Sequence, residues 1–223
     1  MPANDFIPLY EPDFNLAEFV PGNDQEQARY IDVATRRRIP PRWQLATASH
    51  PDVAEWAKTV AAALAAREQA PKPFLLLTGD TGVGKTWQAY GAVHAVVMAT
   101  ATLRPTVKWK AAYWPALLGE LRPREGRDSE GLYGDYAGLT LLMLDDLGVE
   151  KETEWTYTML DRMLYDREAW GRPTVITTNL PPRSERMQSL KSRLGDRAYS
   201  RLAGSAVVTL EGEDRRLPPR AAS

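Results

Sequence analysis

A chain of 223 residues with a formal net charge of −1, no cysteine and two histidines excludes disulfide scaffolds, thiolate chemistry and the usual zinc ligand sets. It is long enough to bury a full core as one principal domain, and its charge excludes a uniformly basic nucleic-acid protein while leaving room for a local basic surface. No apolar run approaches the ~20 residues that a membrane span needs and no signal-peptide pattern opens the chain, so the expected location is cytoplasmic with no membrane partner.

Residues 1–45 carry scattered prolines, acids and aromatics (Phe6, Tyr10, Phe14, Phe19) without sustained periodicity, and residues 1–26 contain no Lys or Arg. They read as an acidic, partly extended N-terminal arm, either a disordered tail or a segment that docks on a partner. The domain proper is expected over 46–216, with 217–223 as a C-terminal tail. Ser49 with Asp52 has the spacing of a capping box, and Val53, Trp56, Val60 and Leu64 then recur at helical spacing. Phe74–Thr78 is a wholly apolar strand of the kind buried in parallel sheets, followed by a helix from Lys85 that takes in His94. A second strand is expected at 106–109, a helix at 113–121, a polar glycine-rich connection at 122–138, and a third strand at 139–144. Trp155, Met159, Leu160, Met163 and Leu164 give a helical apolar face that Gly171-Arg-Pro173 ends before a strand at 174–178. An arginine-rich helical segment precedes a last strand at 206–210. Strands alternating with helices at this spacing imply right-handed crossovers and a parallel sheet.

Between the first strand and its helix, Gly79-Asp80-Thr81-Gly82-Val83-Gly84-Lys85-Thr86 spells GxxxxGKT. Glycines let the backbone aim N–H groups at phosphate oxygens, and the helix start adds its positive end. Lys85 would reach the β and γ phosphates of ATP, and the Thr86 hydroxyl suits octahedral Mg²⁺. Its partner carboxylate is expected on a neighbouring strand. Four apolar residues, Leu141-Leu-Met-Leu, then close on Asp145 and Asp146, delivering both acids to the carboxyl edge of a buried strand, where ligands of open α/β sheets bind. Asp145 is the expected Mg²⁺ partner, and Asp146 the group that orients or deprotonates an attacking water. Thr177-Thr178-Asn179 ends the next strand and sets the Asn179 amide at the same edge, in reach of the γ phosphate or that water. Beyond it Arg193, Arg197 and Arg201 recur every four residues, the pattern of one helix face. Such a face is either simply solvated or a source of an arginine for the γ phosphate of a neighbouring subunit.

The combination GDTGVGKT, LLMLDDLG, VITTNL and a terminal Ser-Arg-Leu resembles the AAA+ ATPases of the DnaC/IstB group, helicase loaders and transposition ATPases. The resemblance extends over about 38–216 and includes Asp145-Asp-Leu-Gly-Val-Glu150 followed by Trp155, then Arg167 before Gly171. It implies an α/β P-loop NTPase of AAA+ type, with a parallel five-stranded sheet flanked by helices and no sizeable C-terminal lid domain. It makes Lys85 and Thr86 Walker A, Asp145 and Asp146 Walker B, and Asn179 sensor 1. Arg201 becomes the first candidate for an arginine finger and Arg197 the second, while Arg216 in the closing Gly-Glu-Asp-Arg-Arg approaches nucleotide. It also places a single-stranded DNA contact at about 113–138, where Lys108, Lys110, Arg122, Arg124 and Arg127 offer phosphate partners. The function implied is an ATP-dependent, homo-oligomeric loader of a replicative DNA helicase. The alternatives are a transposition ATPase acting with a transposase, or a non-hydrolysing adaptor switched by ATP; a second carboxylate weighs against the adaptor. A small-molecule P-loop kinase leaves Asp146, the Thr-Thr-Asn turn and the arginines without joint explanation.

Overall fold

In the computed structural model, which describes residues 20–103, 105–182 and 189–215, the first element is a helix, α1 (Asp24–Arg37), in the stretch expected to be extended. Asn23 caps it by accepting the Glu26 backbone N–H at 2.9 Å. Acids occupy its first turn and Arg36 and Arg37 its last, complementing the helix dipole. Its buried positions are Gln27, Val33 and Thr35, so two of the three are polar and no aliphatic stripe advertises the helix. Ile39 and Ala46, also in or next to the expected arm, are fully buried. The aromatics Phe6, Tyr10, Phe14 and Phe19, together with Arg216 and 217–223, lie outside the described residues.

A 3-10 turn at Pro41–Trp43 leads to α2 (Pro51–Ala66). Its cap is His50 rather than Ser49: the ring Nδ1 accepts the Asp52 N–H at 3.3 Å, and Pro51 fills a first-turn position that has no hydrogen bond to lose. Ser49 instead accepts a hydrogen bond from Gln88 Nε2 at 2.6 Å, tying the start of α2 to the next helix. Then come β1 (Phe74–Thr78), α3 (Lys85–Ala99), β2 (Trp109–Tyr113) and α4 (Trp114–Leu121). The second strand begins where 106–109 was expected to end, because its register is set by pairing with the third, from Trp109 opposite Leu141 to Tyr113 opposite Asp145. The expected connection at 122–138 contains a helix, α5 (Ser129–Ala137), capped by Asp128 accepting the Gly131 N–H at 2.7 Å. The chain continues through β3 (Leu141–Asp145), α6 (Glu154–Ala169), β4 (Thr174–Thr177), α7 (Leu190–Leu202) and β5 (Ala206–Thr209).

All five strands run parallel, in the order β2-β3-β4-β1-β5. Alternate residues point to opposite faces. Leu75, Leu77, Met143 and Val175 pack against α2 and α3, with Ile31 of α1 at the margin. Phe74, Leu76, Leu142, Leu144 and Ile176 pack against α4 to α7. Two details correct the sequence reading. β4 separates β1 from β3, so the carboxylate strand is not the immediate neighbour of the phosphate-loop strand. And α7 is kinked at Gly195 (φ 77°), which divides Arg193 from Arg197 and Arg201 and breaks the single arginine face.

The second face is tied together by Arg167, which is wholly buried. Its Nε donates to Thr174 Oγ1 at 2.6 Å, its Nη2 to Pro173 O at 2.6 Å, and its Nη1 to Ala137 O and Leu139 O at 3.2 and 3.0 Å. One guanidinium thus joins the end of α5 to the segments leading into β3 and β4. Burial lowers its pKa to about 9, with the charge of Arg172 acting in the same direction, so it stays protonated at neutral pH.

Candidate nucleotide site

The loop between β1 and α3 is shaped by what crosses it. Gly79 has φ 136° and Gly82 φ 86°, and a Cβ would stand 2.1 Å from Leu210 O at the first and 1.7 Å from Asp214 Oδ1 at the second. Only glycine combines that backbone with that approach. The chain leaving β5 therefore lies directly on the loop, and the Arg215 N–H donates to Gly82 O at 3.2 Å. Lys85 opens α3 nearly buried, its Nζ donating to Gly79 O at 2.8 Å and Asp80 O at 2.7 Å. Val83 anchors the loop in the core.

Across the sheet edge, Thr86 Oγ1 donates to Asp145 Oδ1 at 3.2 Å. Thr177 of β4 connects the two acids: its hydroxyl donates to the same Asp145 oxygen at 2.7 Å and accepts the Asp146 N–H at 2.9 Å. Burial raises the Asp145 pKa; the Thr177 hydrogen bond opposes this, the Asp146 charge adds to it, and Thr86 and Lys85 pull it back. A desolvated carboxylate beside a hydroxyl is a hard oxygen donor set, and it fits Mg²⁺. Asp146 adopts φ 58°, a left-handed conformation uncommon outside glycine, and lines the adjoining cavity.

That cavity has a volume of about 270 Å³ and is lined by Thr81, Gly82, Gly84, Lys85, Thr86, Asp146 and Asn179, all expected from the sequence. The Thr178 hydroxyl, donating to Leu147 O at 2.7 Å, and the Thr78 hydroxyl, donating to Leu180 O at 2.7 Å, pin the turn that carries Asn179. The same cavity is lined by four residues that the sequence reading missed, Arg42, Trp43, Trp87 and Arg215. Trp43 stacks on Tyr90 of α3 with ring centroids 5.5 Å apart, and the Arg42 guanidinium lies 5.9 Å from the Trp43 ring. The signal for Trp43 was the Pro40-Pro41 turn, which made a fixed platform out of part of the expected arm. Trp87 followed the motif directly.

Arg201 and Arg197 are elsewhere, lining an open hollow on α7 with Glu168. Arg201 donates to Asp161 Oδ1 at 3.1 Å and Glu168 Oε2 at 2.9 Å, and its guanidinium lies 4.7 Å from the Tyr165 ring. The basic residues expected at DNA also do not converge on the cavity. Lys110 lies over Tyr136 at 4.6 Å, Arg122 over Trp155 at 4.8 Å, and Arg127 donates to Glu120 O at 2.9 Å, while Lys108 and Arg124 are exposed.

Sheet order, loop and acidic strand end define the fold of an AAA+ P-loop ATPase domain, and the solved structures that the chain is similar to have it. The DnaC helicase loader superposes with a TM-score of 0.52 at 21% identity, over 89% of this chain and 97% of that one. DnaI superposes with a TM-score of 0.57 at 22% identity, over 82% of this chain and 99% of that one. In sequence, 110 residues are 36% identical to a protein of insertion sequence IS1162 from Pseudomonas fluorescens that is named for ATP binding. That match covers 48% of this chain and 44% of the relative, so the chain spans less than half the length of the curated protein it matches. No protein-family model matches the chain. The structural similarity is thus to helicase loaders, at identities that speak for the fold, and the sequence similarity is to an insertion-sequence protein. Among the described residues, no helix is long and apolar enough to cross a membrane.

Proposed function

We propose that this chain binds and hydrolyses ATP with Mg²⁺ at contacts between copies of itself and loads a replicative DNA helicase onto single-stranded DNA. The observation that carries the ATPase part is the convergence of Lys85, Thr86, Asp146 and Asn179 on one cavity, with Asp145 held behind Thr86. Lys85 exchanges the Gly79 and Asp80 carbonyls for phosphate oxygens, an anionic acceptor in place of two neutral ones. Thr86 and Asp145 hold Mg²⁺, which when bound neutralises phosphate charge. Asp146 and Asn179 position the attacking water. Trp43 and Arg42 offer the base a stacking surface at the other end of the cavity. The cavity contains no arginine from α7, so Arg201 or Arg197 serves the site of a neighbouring copy, and hydrolysis is slow until copies associate. The basic residues around α4 and α5 are the single-stranded DNA contact.

A second reading, a transposition ATPase working with a transposase, is favoured by the 36% identity to the insertion-sequence protein. Phosphate release measured with single-stranded DNA present tests the ATPase: Lys85→Ala is expected to lose nucleotide binding, and Asp146→Asn to keep binding while losing at least about 100-fold in turnover. Wild-type release no faster than the Lys85→Ala background would leave only the ATP-switched adaptor. Co-purification from the native host with ATP and with ADP separates the partners, since a hexameric helicase supports loading and a transposase the second reading.

A further inference from the structure

Arg193 and Glu150, two residues that stand out in the sequence, lie outside the lining of the nucleotide cavity and meet just behind it. The chain leaving β3 sets Asp146 in its left-handed conformation, φ 58°, and is then held by β4: the Leu147 N–H donates to Thr177 O at 2.8 Å, and Leu147 O accepts the Thr178 hydroxyl at 2.7 Å. Gly148 follows at φ 94° and packs so closely on the Asn179 turn that a Cβ there would stand 2.7 Å from Leu180 Cδ1. Its N–H donates to Glu150 Oε2 at 2.9 Å, which folds the Glu150 side chain back along the loop. Arg193 closes the loop from outside. Its stem crosses Gly148, with Cγ 3.6 Å from where that Cβ would be, and its guanidinium donates to Glu150 O through Nη2 and to Glu152 Oε1 through Nη1. The Arg193 side chain is only 14% exposed, so this is an enclosed contact and not a solvated surface pair. Its own place is fixed by the Asn179 turn, because the Leu190 N–H at the start of α7 donates to Pro181 O at 2.8 Å and Leu190 is fully buried. The kink at Gly195 ends this part of the helix before Arg197 and Arg201.

A left-handed conformation at a residue other than glycine persists only where its surroundings hold it. Around Asp146 that support comes from the end of β4, the turn that carries Asn179 and the first turns of α7. We propose that Arg193 is a positioning residue for ATP hydrolysis: by clamping the loop after β3 against the Asn179 turn, it holds the Asp146 carboxylate where the attacking water is oriented. The proposal rests on the ATPase reading of the cavity. Arg193 touches no nucleotide group and acts through Asp146, within its own copy. It thereby differs from Arg197 and Arg201, which lie beyond the kink and are read as serving a neighbouring copy. One planar fork reaches a carbonyl and a carboxylate together, a geometry that a lysine ammonium on a flexible stem reproduces only in part.

Radiolabelled phosphate release and titration calorimetry with ATP–Mg²⁺ test this on the full chain, below the melting transition of each variant. Arg193→Met keeps the stem that crosses Gly148 and removes the fork. Its ATP affinity is expected to stay within about threefold of wild type while turnover falls by about 10- to 100-fold, the size of effect that a displaced catalytic group produces. Arg193→Lys recovers part of that loss. The double variant Asp146→Asn with Arg193→Met is expected to turn over no more slowly than Asp146→Asn alone, because the group that Arg193 positions is already gone. A double variant slowed by the full Arg193→Met factor makes the two effects independent and overturns the proposal. Turnover of Arg193→Met within about twofold of wild type overturns it too, and so does an ATP affinity that falls as far as the rate, which makes Arg193 a support of the fold. Wild-type release no faster than the Lys85→Ala background is a different failure: it removes the ATPase reading itself.

Discussion

The two faces of the sheet are built from the same aliphatic strand residues in alternation, yet they treat their charges differently. At the sheet edge beside the α1–α3 face, Lys85 and Asp146 line a shared cavity with Asp145 behind Thr86, and they hydrogen-bond to loop carbonyls and threonine hydroxyls, while an Asp32–Arg36–His94 cluster joins α1 to α3 away from it. On the α4–α7 face, most charges are already matched with each other at the surface. Arg201 lies between Asp161 and Glu168, and Arg162 meets Glu130 at 2.8 Å. Neutral partners leave a site electrostatically open to a ligand, whereas paired surface ions are exchangeable at small cost, since each exposed pair contributes roughly 1 kcal/mol or less. Under the proposed function, the first arrangement would receive a triphosphate and the second would exchange partners on assembly.

The sharpest way to break that contrast is Arg201→Ala. If its carboxylate pairs are exchanged for phosphate on assembly, steady-state ATP hydrolysis at protein concentrations that support association is expected to fall by ~10³ or more. ATP affinity should change less than threefold, and stability by no more than the small worth of exposed ion pairs. A rate unchanged in Arg201→Ala and lost in Arg197→Ala would assign the role to Arg197, which among the described residues has no ion pair. Rates unaffected in both would make the hollow on α7 a solvated face and remove the contrast.

The phosphate loop and the acids were legible in the sequence because each position has a requirement that few residues meet: glycine where the chain crosses closely, lysine and threonine at a helix start, and carboxylates at the end of an apolar run. What escaped had no such local signature. Thr177 connects Asp145 to Asp146 only because β4 inserts between β1 and β3, a fact of strand order. Trp43 and Arg215 reach the cavity from distant parts of the sequence, one from a stretch read as an arm and one from the end of the expected domain, beyond the last strand. α1 was hidden because its inner surface is polar, and α5 because its glycines and acids look like a loop. The five strands were placed to within a few residues, the second furthest off, since register depends on a partner strand that no local pattern encodes.

Arg167 tests the second face from within. It was noticed in the sequence only as part of a family pattern, and it turns out to be a strut whose acceptors are all neutral. Arg167→Met keeps the apolar stem and removes the fork, leaving the carbonyls of Ala137, Leu139 and Pro173 without that donor. A loss on the order of 3 kcal/mol is expected, lowering the melting temperature by roughly 10 °C. Nucleotide affinity measured below the transition should stay within about threefold of wild type, because the strut contacts the second face only. A matching collapse of ATP binding would mean that the two faces are not separable.

The smallest expected effect concerns the first face, where α1 docks on α3 through Asp32, Arg36 and His94. Asp32 Oδ1 lies 2.5 Å from His94 Nε2 and 3.0 Å from Arg36 Nε, and Arg36 Nη2 lies 3.5 Å from His94 Nδ1. Burial lowers the His94 pKa from 6.5, the contact with Asp32 opposes this by favouring a charged ring, and the Arg36 charge lowers it further. A neutral ring also suits the geometry, with Nε2–H donating to Asp32 and Nδ1 facing the Arg36 donor. Because the folded pKa lies below the unfolded value, the folded state binds fewer protons than the unfolded state in that interval. The stabilisation is then complete above about pH 6.5 and is lost as pH drops toward the folded value. Melting curves between about pH 7.5 and 5.5 should show stability declining as pH falls, and His94→Gln, whose amide can still donate to Asp32 but does not titrate, should flatten that decline. Because the turn after α1 carries Arg42 and Trp43, the same decline should weaken nucleotide binding in wild type and not in His94→Gln. A wild-type slope that persists in the variant would place the titrating group elsewhere and detach α1 from the site.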